Sequence, residues 1–134
     1  MKILVIDGQG GGLGRQLVAA IRKELPDAEL TAVGTNSAAT EAMRKAGAER
    51  AATGENAVLV ACRRADAIVG PVGIVIADAL LGEITPAMAC AVGQSAARRI
   101  LIPTNRCGSR VVGAHGGMSA MLQEVIDALR QDRE

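Results

Sequence analysis

The feature that most constrains the fold of this chain is a short apolar run that leads into five glycines near its first residue. The run Val5-Ile6-Asp7 precedes glycines at positions 8, 10, 11, 12 and 14, and a helical pattern of leucines begins at Leu13. A strand, a glycine turn and a helix in this order place backbone N–H groups at the positive end of a helix, where phosphate binds without a charged side chain. We expect phosphate contacts from Gly8, Gln9, Gly10, Gly11, Gly12, Leu13 and Gly14, with Arg15 adding positive charge.

The spacing of these glycines is compatible with more than one kind of loop. Gly8, Gly12 and Gly14 follow the pattern GxxxGxG, which resembles the short-chain dehydrogenase variant of the dinucleotide loop, whereas GxGxxG fits in no register. From Gly10 onward the run also resembles a degraded Walker loop, with Arg15 in place of lysine and Gln16 in place of the magnesium-binding Ser or Thr. The alternative is structural, namely a tight turn that lets the strand and the helix pack closely.

Composition narrows the class of protein. The 134 residues are 49% hydrophobic and 22% charged, which is typical of a globular chain. The formal net charge of +1 gives no electrostatic support for a nucleic-acid partner. The chain contains no Phe, Trp or Tyr, which excludes an aromatic stacking platform and the Tyr–Lys pair of the short-chain dehydrogenases. Any adenine ring would therefore lie against aliphatic side chains.

The cysteines and the N-terminal region predict a cytoplasmic protein. Cys62, Cys90 and Cys107 have irregular spacing, so they predict neither a disulfide framework nor a metal site. Cys62 and Cys90 fall on apolar helix faces, and we expect both in the core. The chain begins without the pattern of a signal peptide.

The most apolar part of the chain is region 73–92. It is interrupted by Asp78, Glu83 and Pro86, so we expect no membrane span there. Its apolar side chains are more numerous than a small monomer readily covers, which makes the region a candidate homodimer interface and leaves open a non-enzymatic assembly or regulatory role.

Apolar runs alternate with helical patterns along the chain. The patterns predict strands at 2–6, 30–33, 67–69, 100–102 and 110–112, and helices at 13–25, 38–46, 73–81, 86–93 and from 118 onward. A further helix follows Thr53, although its segment 57–61 also fits a strand. Such alternation predicts one α/β domain over 1–134, a three-layer Rossmann-like fold with an open, mostly parallel sheet and helices on both faces.

Small and polar residues follow four of the predicted strands, at the edge where ligands bind in such sheets. Besides the glycine loop, these residues are Gly34, Thr35, Asn36 and Ser37; Gly70, Pro71, Val72 and Gly73; and Thr104, Asn105, Arg106 and Cys107. Dinucleotide-binding sheets carry an acidic residue after the second strand, and this chain does not. Thr35, Asn36 and Ser37 leave room for a 2′-phosphate, so NADP is favoured over NAD. A mononucleotide or another phosphorylated metabolite also fits, and so does a purely structural role as a helix cap.

Three residues are candidates for chemistry in such a pocket. Asp7 either accepts hydrogen bonds from the loop amides or contacts a substrate or metal, and its short side chain favours the first role. Glu83 lies beside a helix start, where it either caps the helix or reaches the pocket. Cys107 follows a strand end beside Arg106, which favours its thiolate as a nucleophile on a small phosphorylated substrate. Its alternative is a small buried side chain.

His115 is the single histidine, and glycines flank it before the last helix. We expect it in an exposed loop or at a pocket edge, with a catalytic base as the alternative.

Several phrases of the sequence together resemble an uncharacterised family of small bacterial proteins known only as a domain of unknown function. The phrases are Asp7–Gly12, Gly34–Ser37, Thr53–Ala57, Gly70–Ile74, Gly82–Pro86 and Asn105–Cys107. The resemblance extends from Met1 to about Gly113, and one departure is Arg15, where lysine is common. It implies a defined ligand pocket and leaves the ligand unnamed.

Overall fold

A computed structural model describes residues 1–103 and 108–132. Strands and helices alternate as the sequence predicts, with a single-turn 3-10 helix at Val72–Val75. The strands are β1 (Lys2–Asp7), β2 (Glu29–Gly34), β3 (Arg50–Thr53), β4 (Ala67–Pro71) and β5 (Arg98–Ile102). The helices are α1 (Gly12–Glu24), α2 (Ser37–Ala46), α3 (Glu55–Cys62), α4 (Pro86–Gln94) and α5 (Met118–Asp132). The ambiguous segment 57–61 is therefore helical.

The five described strands form one parallel sheet in the order β3-β2-β1-β4-β5. This is the order of the first five strands of the Rossmann fold. The chain proceeds outward from β1 to β3, then crosses to β4 on the other side of β1. The order thus reverses between β1 and β4, and the loops that follow these two strands flank the crevice where such sheets bind ligands.

Alternate residues of the strands pack against helices on opposite faces of the sheet. Ile3 and Val5 of β1 belong to one apolar cluster, which α1, α2 and α5 cover. Leu4 and Ile6 belong to the other, which α3, α4 and the 3-10 turn cover. Because both faces are covered, every residue of β1 after Lys2 is buried. The three-layer α/β fold predicted from the sequence is confirmed.

The predicted helix at 73–81 is wrong. After the 3-10 turn, the chain continues through consecutive turns with positive φ at Asp78, Leu80 and Leu81. It closes on itself where the Asp78 amide donates to the Ile84 carbonyl at 2.7 Å. The apolar residues that suggested a helix are nevertheless buried, because the folded loop directs Ile74, Leu80 and Ile84 into the core.

One strand, β3, was not predicted from the sequence, and another was wrongly predicted at 110–112. β3 has no signal in the sequence, because all four of its residues are exposed at an edge of the sheet and two of them are alanines, which strands disfavour. The expected strand at 110–112 is instead part of an exposed loop between Gly108 and Gly117. None of the described helices combines the length and the apolar character needed to cross a bilayer.

Candidate functional site

The carboxylate of Asp7 holds the glycine loop in place from within. Asp7 ends β1 and is only 5% exposed. Its Oδ1 atom accepts a hydrogen bond from the Gly8 amide at 2.8 Å, and its Oδ2 atom accepts one from the Gly14 amide at 2.6 Å. These two bonds join the start of the loop to the first turn of α1. The prediction that Asp7 accepts hydrogen bonds from loop amides is confirmed.

The loop turns into α1 at Gly11, which adopts the left-handed conformation with φ 72°. A side chain there would also meet the backbone of Ala39 in α2, at 2.9 Å from its Cα atom, so only glycine fits. Gly11 has no side chain to cap the helix, and Asp7 takes the Gly14 amide. Among the described residues, the amides of Gly10, Gly12 and Leu13 therefore have no acceptor.

A crevice of about 480 Å³ lies directly over this loop. Its walls come from the strand ends on either side of the reversal in strand order, together with the start of α5. The lining residues are Asp7, Gly8, Gln9, Gly10, Gly11, Gly12, Leu13, Gln16, Pro71, Leu80 and Met118. The volume lies within the range of pockets that hold small ligands. The crevice therefore combines a helix N-terminus, an apolar wall and three amides that have no acceptor in the part of the chain that the structure describes.

Beside the crevice, Glu83 joins the loops that follow β1 and β2. Its Oε1 atom accepts three hydrogen bonds, from the Gln9 amide at 2.9 Å, the Thr35 hydroxyl at 2.6 Å and the Asn36 side-chain amide at 2.7 Å. Asn36 also donates to the Gln9 carbonyl at 2.9 Å, and its own oxygen caps α2 at the Ala39 amide. The side chains of Thr35 and Asn36 are thus bonded to other parts of the protein.

These contacts set the ionisation of Glu83. Burial acts to raise the pKa of its carboxyl group, whereas the hydrogen bonds from Thr35, Gln9 and Asn36 act to lower it. The hydrogen bonds prevail and hold the pKa of Glu83 below its usual value. Glu83 is therefore a carboxylate at neutral pH.

The structure brings three of the four predicted strand ends together. Gly70 packs against the backbone of β1 at Ile6, and Pro71 lines the crevice. Val72 and Gly73 begin the 3-10 turn that follows β4. Arg15 and Ser37 are exposed and do not line the crevice. The predicted residues Thr104, Asn105, Arg106 and Cys107 lie outside the described residues.

The remaining candidates lie away from the crevice. Cys62 is buried in α3, and burial raises the pKa of its thiol to about 11. Cys90 is exposed on α4, so its predicted core position is wrong. His115 lies in the exposed loop before α5, at the edge of a separate groove along β5, as the sequence predicts. Among the described residues, no cluster of His, Cys, Asp and Glu side chains could hold a metal ion.

Three residues of the crevice were not predicted from the sequence. Gln16 stands on α1 one turn after the loop, Leu80 lies in the turns that were expected to be a helix, and Met118 begins α5. Gln16 had a local signal, because it follows the glycines at helical spacing. Leu80 and Met118 reach the loop only through the tertiary fold.

A second groove, of about 310 Å³, runs along α3 on one face of the sheet. It extends from the amino-terminal ends of β1, β2 and β3, at Lys2, Glu29 and Arg50, as far as Val33 and Ala52. Its position is not the one where parallel sheets of this kind bind ligands. The crevice over the glycine loop is therefore the better candidate.

The strand order and the glycine loop beside its reversal define a Rossmann-like α/β protein. The chain belongs to the family described as domain of unknown function (DUF3842), whose model matches residues 2–134. The family resemblance of the sequence phrases is thereby confirmed.

No curated protein matches the chain. Among solved structures, the dodecameric FMN-dependent Ubix-like decarboxylase from Escherichia coli O157:H7 is similar, with 21% identity and a TM-score of 0.49. The match covers 98% of this chain and 76% of that chain.

Proposed function

We propose that the chain is a single cytoplasmic domain that binds a phosphate-bearing nucleotide at its glycine loop. The observation that carries the proposal is the set of three backbone amides, those of Gly10, Gly12 and Leu13, that have no acceptor among the described residues. They lie at the positive end of α1 and in the wall of a crevice beside the reversal in strand order. Phosphate oxygens satisfy such donors without help from a charged side chain.

The rest of the crevice suits the body of a nucleotide. Leu13, Pro71, Leu80 and Met118 provide apolar surface, and Gln16 provides an amide that can bond to a polar edge. NADP and NAD, which the sequence favours, carry such a phosphate, as do AMP, ATP and the flavin nucleotides. A phosphorylated metabolite without a base is the smaller alternative.

Thermal-shift measurements with NADP, NAD, ATP, AMP and FMN test the proposal. Binding at 100 times the dissociation constant should add about 2.7 kcal/mol to the free energy of unfolding. The Gly12→Asp variant should lose the ligand-dependent shift, because its new carboxylate repels phosphate at the first residue of α1. It should still fold, because a Cβ at Gly12 meets no atom within 4 Å and an acidic residue suits a helix N-terminus.

The matched control is Ala87→Asp. Ala87 is exposed in the first turn of α4, so the substitution makes the same change of charge near a helix N-terminus away from the crevice. This variant should keep the ligand-dependent shift. The proposal is wrong if no ligand in the panel stabilises the wild-type protein at millimolar concentration.

We also propose that the protein self-associates through region 73–92, although fewer observations support this proposal than support nucleotide binding. The structure describes this region throughout, and most of its large apolar side chains are buried within the monomer. Leu81 is the one large apolar side chain of this region that is fully exposed, at 95%, and its φ is positive at 57°. If a partner subunit covers Leu81, the Leu81→Asn variant should shift the protein toward monomers in light scattering, and a wild-type monomer would contradict the idea.

A further inference from the structure

Among the described residues, the crevice is lined from one side of the glycine loop. Its lining residues come from that loop, from the end of β4, from the turns that follow and from α5. None of the residues at the end of β2 and directly after it, positions 34–37, lines it. In a Rossmann sheet, the ribose of the first nucleotide of a dinucleotide lies at the end of the second strand, where an acidic side chain binds its hydroxyls.

The carboxylate of Glu83 lies beside the end of β2, because it is hydrogen-bonded to the first two residues after that strand. Its Oε1 atom lies within hydrogen-bond distance of the Gln9 amide, the Thr35 hydroxyl and the Asn36 side-chain amide. The three donors belong to the loops that follow β1 and β2, so the carboxylate stands between these loops. The bond from Asn36 to the Gln9 carbonyl, at 2.9 Å, ties the two loops directly.

The network is packed directly against the backbone that follows β1. A Cβ atom at Gly8 would lie 2.6 Å from the Thr35 hydroxyl, 2.9 Å from Leu80 Cδ1 and 3.1 Å from Glu83 Oε1. The three side chains are therefore stacked directly on the backbone at the end of β1. Leu80 is itself only 6% exposed.

We infer that Glu83 closes the adenosine-ribose half of this Rossmann crevice, so that the site takes a ligand with a single nucleotide unit, such as a nucleoside monophosphate, rather than a dinucleotide. This inference rests on the proposed function, because it assumes that the glycine loop binds the phosphate. The ligand then extends from the amides of Gly10 and Gly12 toward Pro71 and Met118. A dinucleotide in the usual pose would have to displace Glu83 and break its hydrogen bonds. Losing even one charge-assisted bond of this kind lowers affinity about tenfold.

Isothermal titration calorimetry with pairs of ligands tests the inference on the wild-type protein. The pairs are AMP with NAD and FMN with FAD, in which each dinucleotide contains the corresponding mononucleotide. For at least one pair, the mononucleotide should bind about tenfold or more tightly than its dinucleotide. The inference is overturned if, in every pair for which binding is detected, the dinucleotide binds as tightly as its mononucleotide. The proposed function would then remain intact. Absence of binding by all four ligands overturns the inference, and the thermal-shift panel, which also contains NADP and ATP, decides the proposed function.

Two variants separate closure by shape from repulsion by charge. Glu83→Ala removes the side chain and should raise the affinity for the dinucleotide relative to its mononucleotide by about tenfold. Glu83→Gln keeps the size of the side chain and an oxygen that can accept the same hydrogen bonds, so it should retain the wild-type preference. If Glu83→Ala instead weakens dinucleotide binding, the carboxylate grips the ligand rather than excluding it, and the inference is wrong. The comparison of mononucleotide with dinucleotide on the wild-type protein does not depend on these variants, so it still tests the inference if Glu83→Ala is unstable.

Discussion

The Oε1 atom of Glu83 accepts a hydrogen bond from the Thr35 hydroxyl at 2.6 Å, although 48 positions separate the two residues in the chain. Thr35 follows β2, whereas Glu83 lies in the turns between β4 and α4. These two strands flank β1 on opposite sides, so the bond spans the carboxyl end of the central strand. The network thus fixes the loops around the crevice relative to one another before any ligand binds.

The Glu83 network should make stability depend on pH in the acidic range. Its folded pKa is lower than the unfolded value of 4.5, so its contribution to the free energy of unfolding is present above that value. The contribution is lost as the pH falls through the folded pKa. The difference in unfolding free energy between the wild type and Glu83→Gln should therefore shrink from about pH 6 to about pH 3. Urea titrations at several pH values measure it, and a constant difference would contradict the ionised network.

Asp7 should be more important for stability than an ordinary surface carboxylate. In Asp7→Asn, one carboxylate oxygen becomes an NH₂ group that faces the amide of Gly8 or Gly14, so a buried donor loses its acceptor. We expect a loss of about 2 kcal/mol in urea unfolding. Asp66→Asn is the matched control, because Asp66 also accepts a backbone hydrogen bond, from Lys2, but at an exposed position. If the two substitutions lower the free energy of unfolding by the same amount, the buried hydrogen bonds of Asp7 stabilise the fold no more than the exposed one of Asp66.

Local signals in the sequence were sufficient for the parts of the site that are built from neighbouring residues. The apolar run ending at Asp7, the glycines and the start of α1 are contiguous, so their order alone predicts the turn. Asn36, for which a helix-cap role was expected, accepts an amide hydrogen bond at the start of α2. Thr85 before Pro86 has the residue order typical of a helix start, and its side chain caps α4 in the same way.

The parts that sequence reasoning missed depend on contacts between distant residues. Glu83 reaches the Gln9 amide across 74 positions, and no spacing rule connects them. The hydrophobic pattern at 73–81 correctly indicates burial, but it does not distinguish a helix from a loop that folds back on itself. Cys90 was misplaced for a related reason, since the near-uniform apolar character of α4 does not show which of its faces meets the sheet.

The two described cysteines should differ sharply in reactivity. The thiol of Cys62 is buried, with its pKa raised to about 11, so it remains protonated and inaccessible in the native protein at pH 8, roughly the pH of a labelling reaction. Cys90 is exposed. A maleimide reagent should therefore label Cys90 in the native protein and Cys62 only after unfolding in urea. Peptide mass spectrometry assigns each label to its cysteine, and rapid native labelling of Cys62 would contradict its burial.

The raised pKa of Cys62 also predicts a loss of stability in alkali. Above the reference value of 9.0, the unfolded chain releases the thiol proton while the folded chain retains it until about pH 11. The contribution of this protonated thiol to the free energy of unfolding is therefore fully present below pH 9.0 and is lost as the pH rises toward 11. Cys62→Ala removes the titrating group, so its free energy of unfolding should fall less over this range than that of the wild type. Parallel slopes for the two proteins would contradict the prediction.

Two glycines of α1 should respond in opposite ways to the same substitution. At Gly14, a Cβ atom would lie 2.6 Å from the Met43 sulfur and 2.8 Å from Asp7 Cβ, so alanine forces α1 away from α2 and β1. We expect Gly14→Ala to lower the free energy of unfolding by about 1–3 kcal/mol, the usual effect of overpacking. At Gly12, a Cβ meets no atom within 4 Å, and Gly12→Ala should leave stability unchanged or raise it by up to about 1 kcal/mol through the lower entropy of the unfolded chain. Urea unfolding of both variants measures the contrast. Since Met43 can rotate but the backbone at Asp7 cannot, a neutral Gly14→Ala would mean that α1 and β1 do not pack as closely as the structure shows.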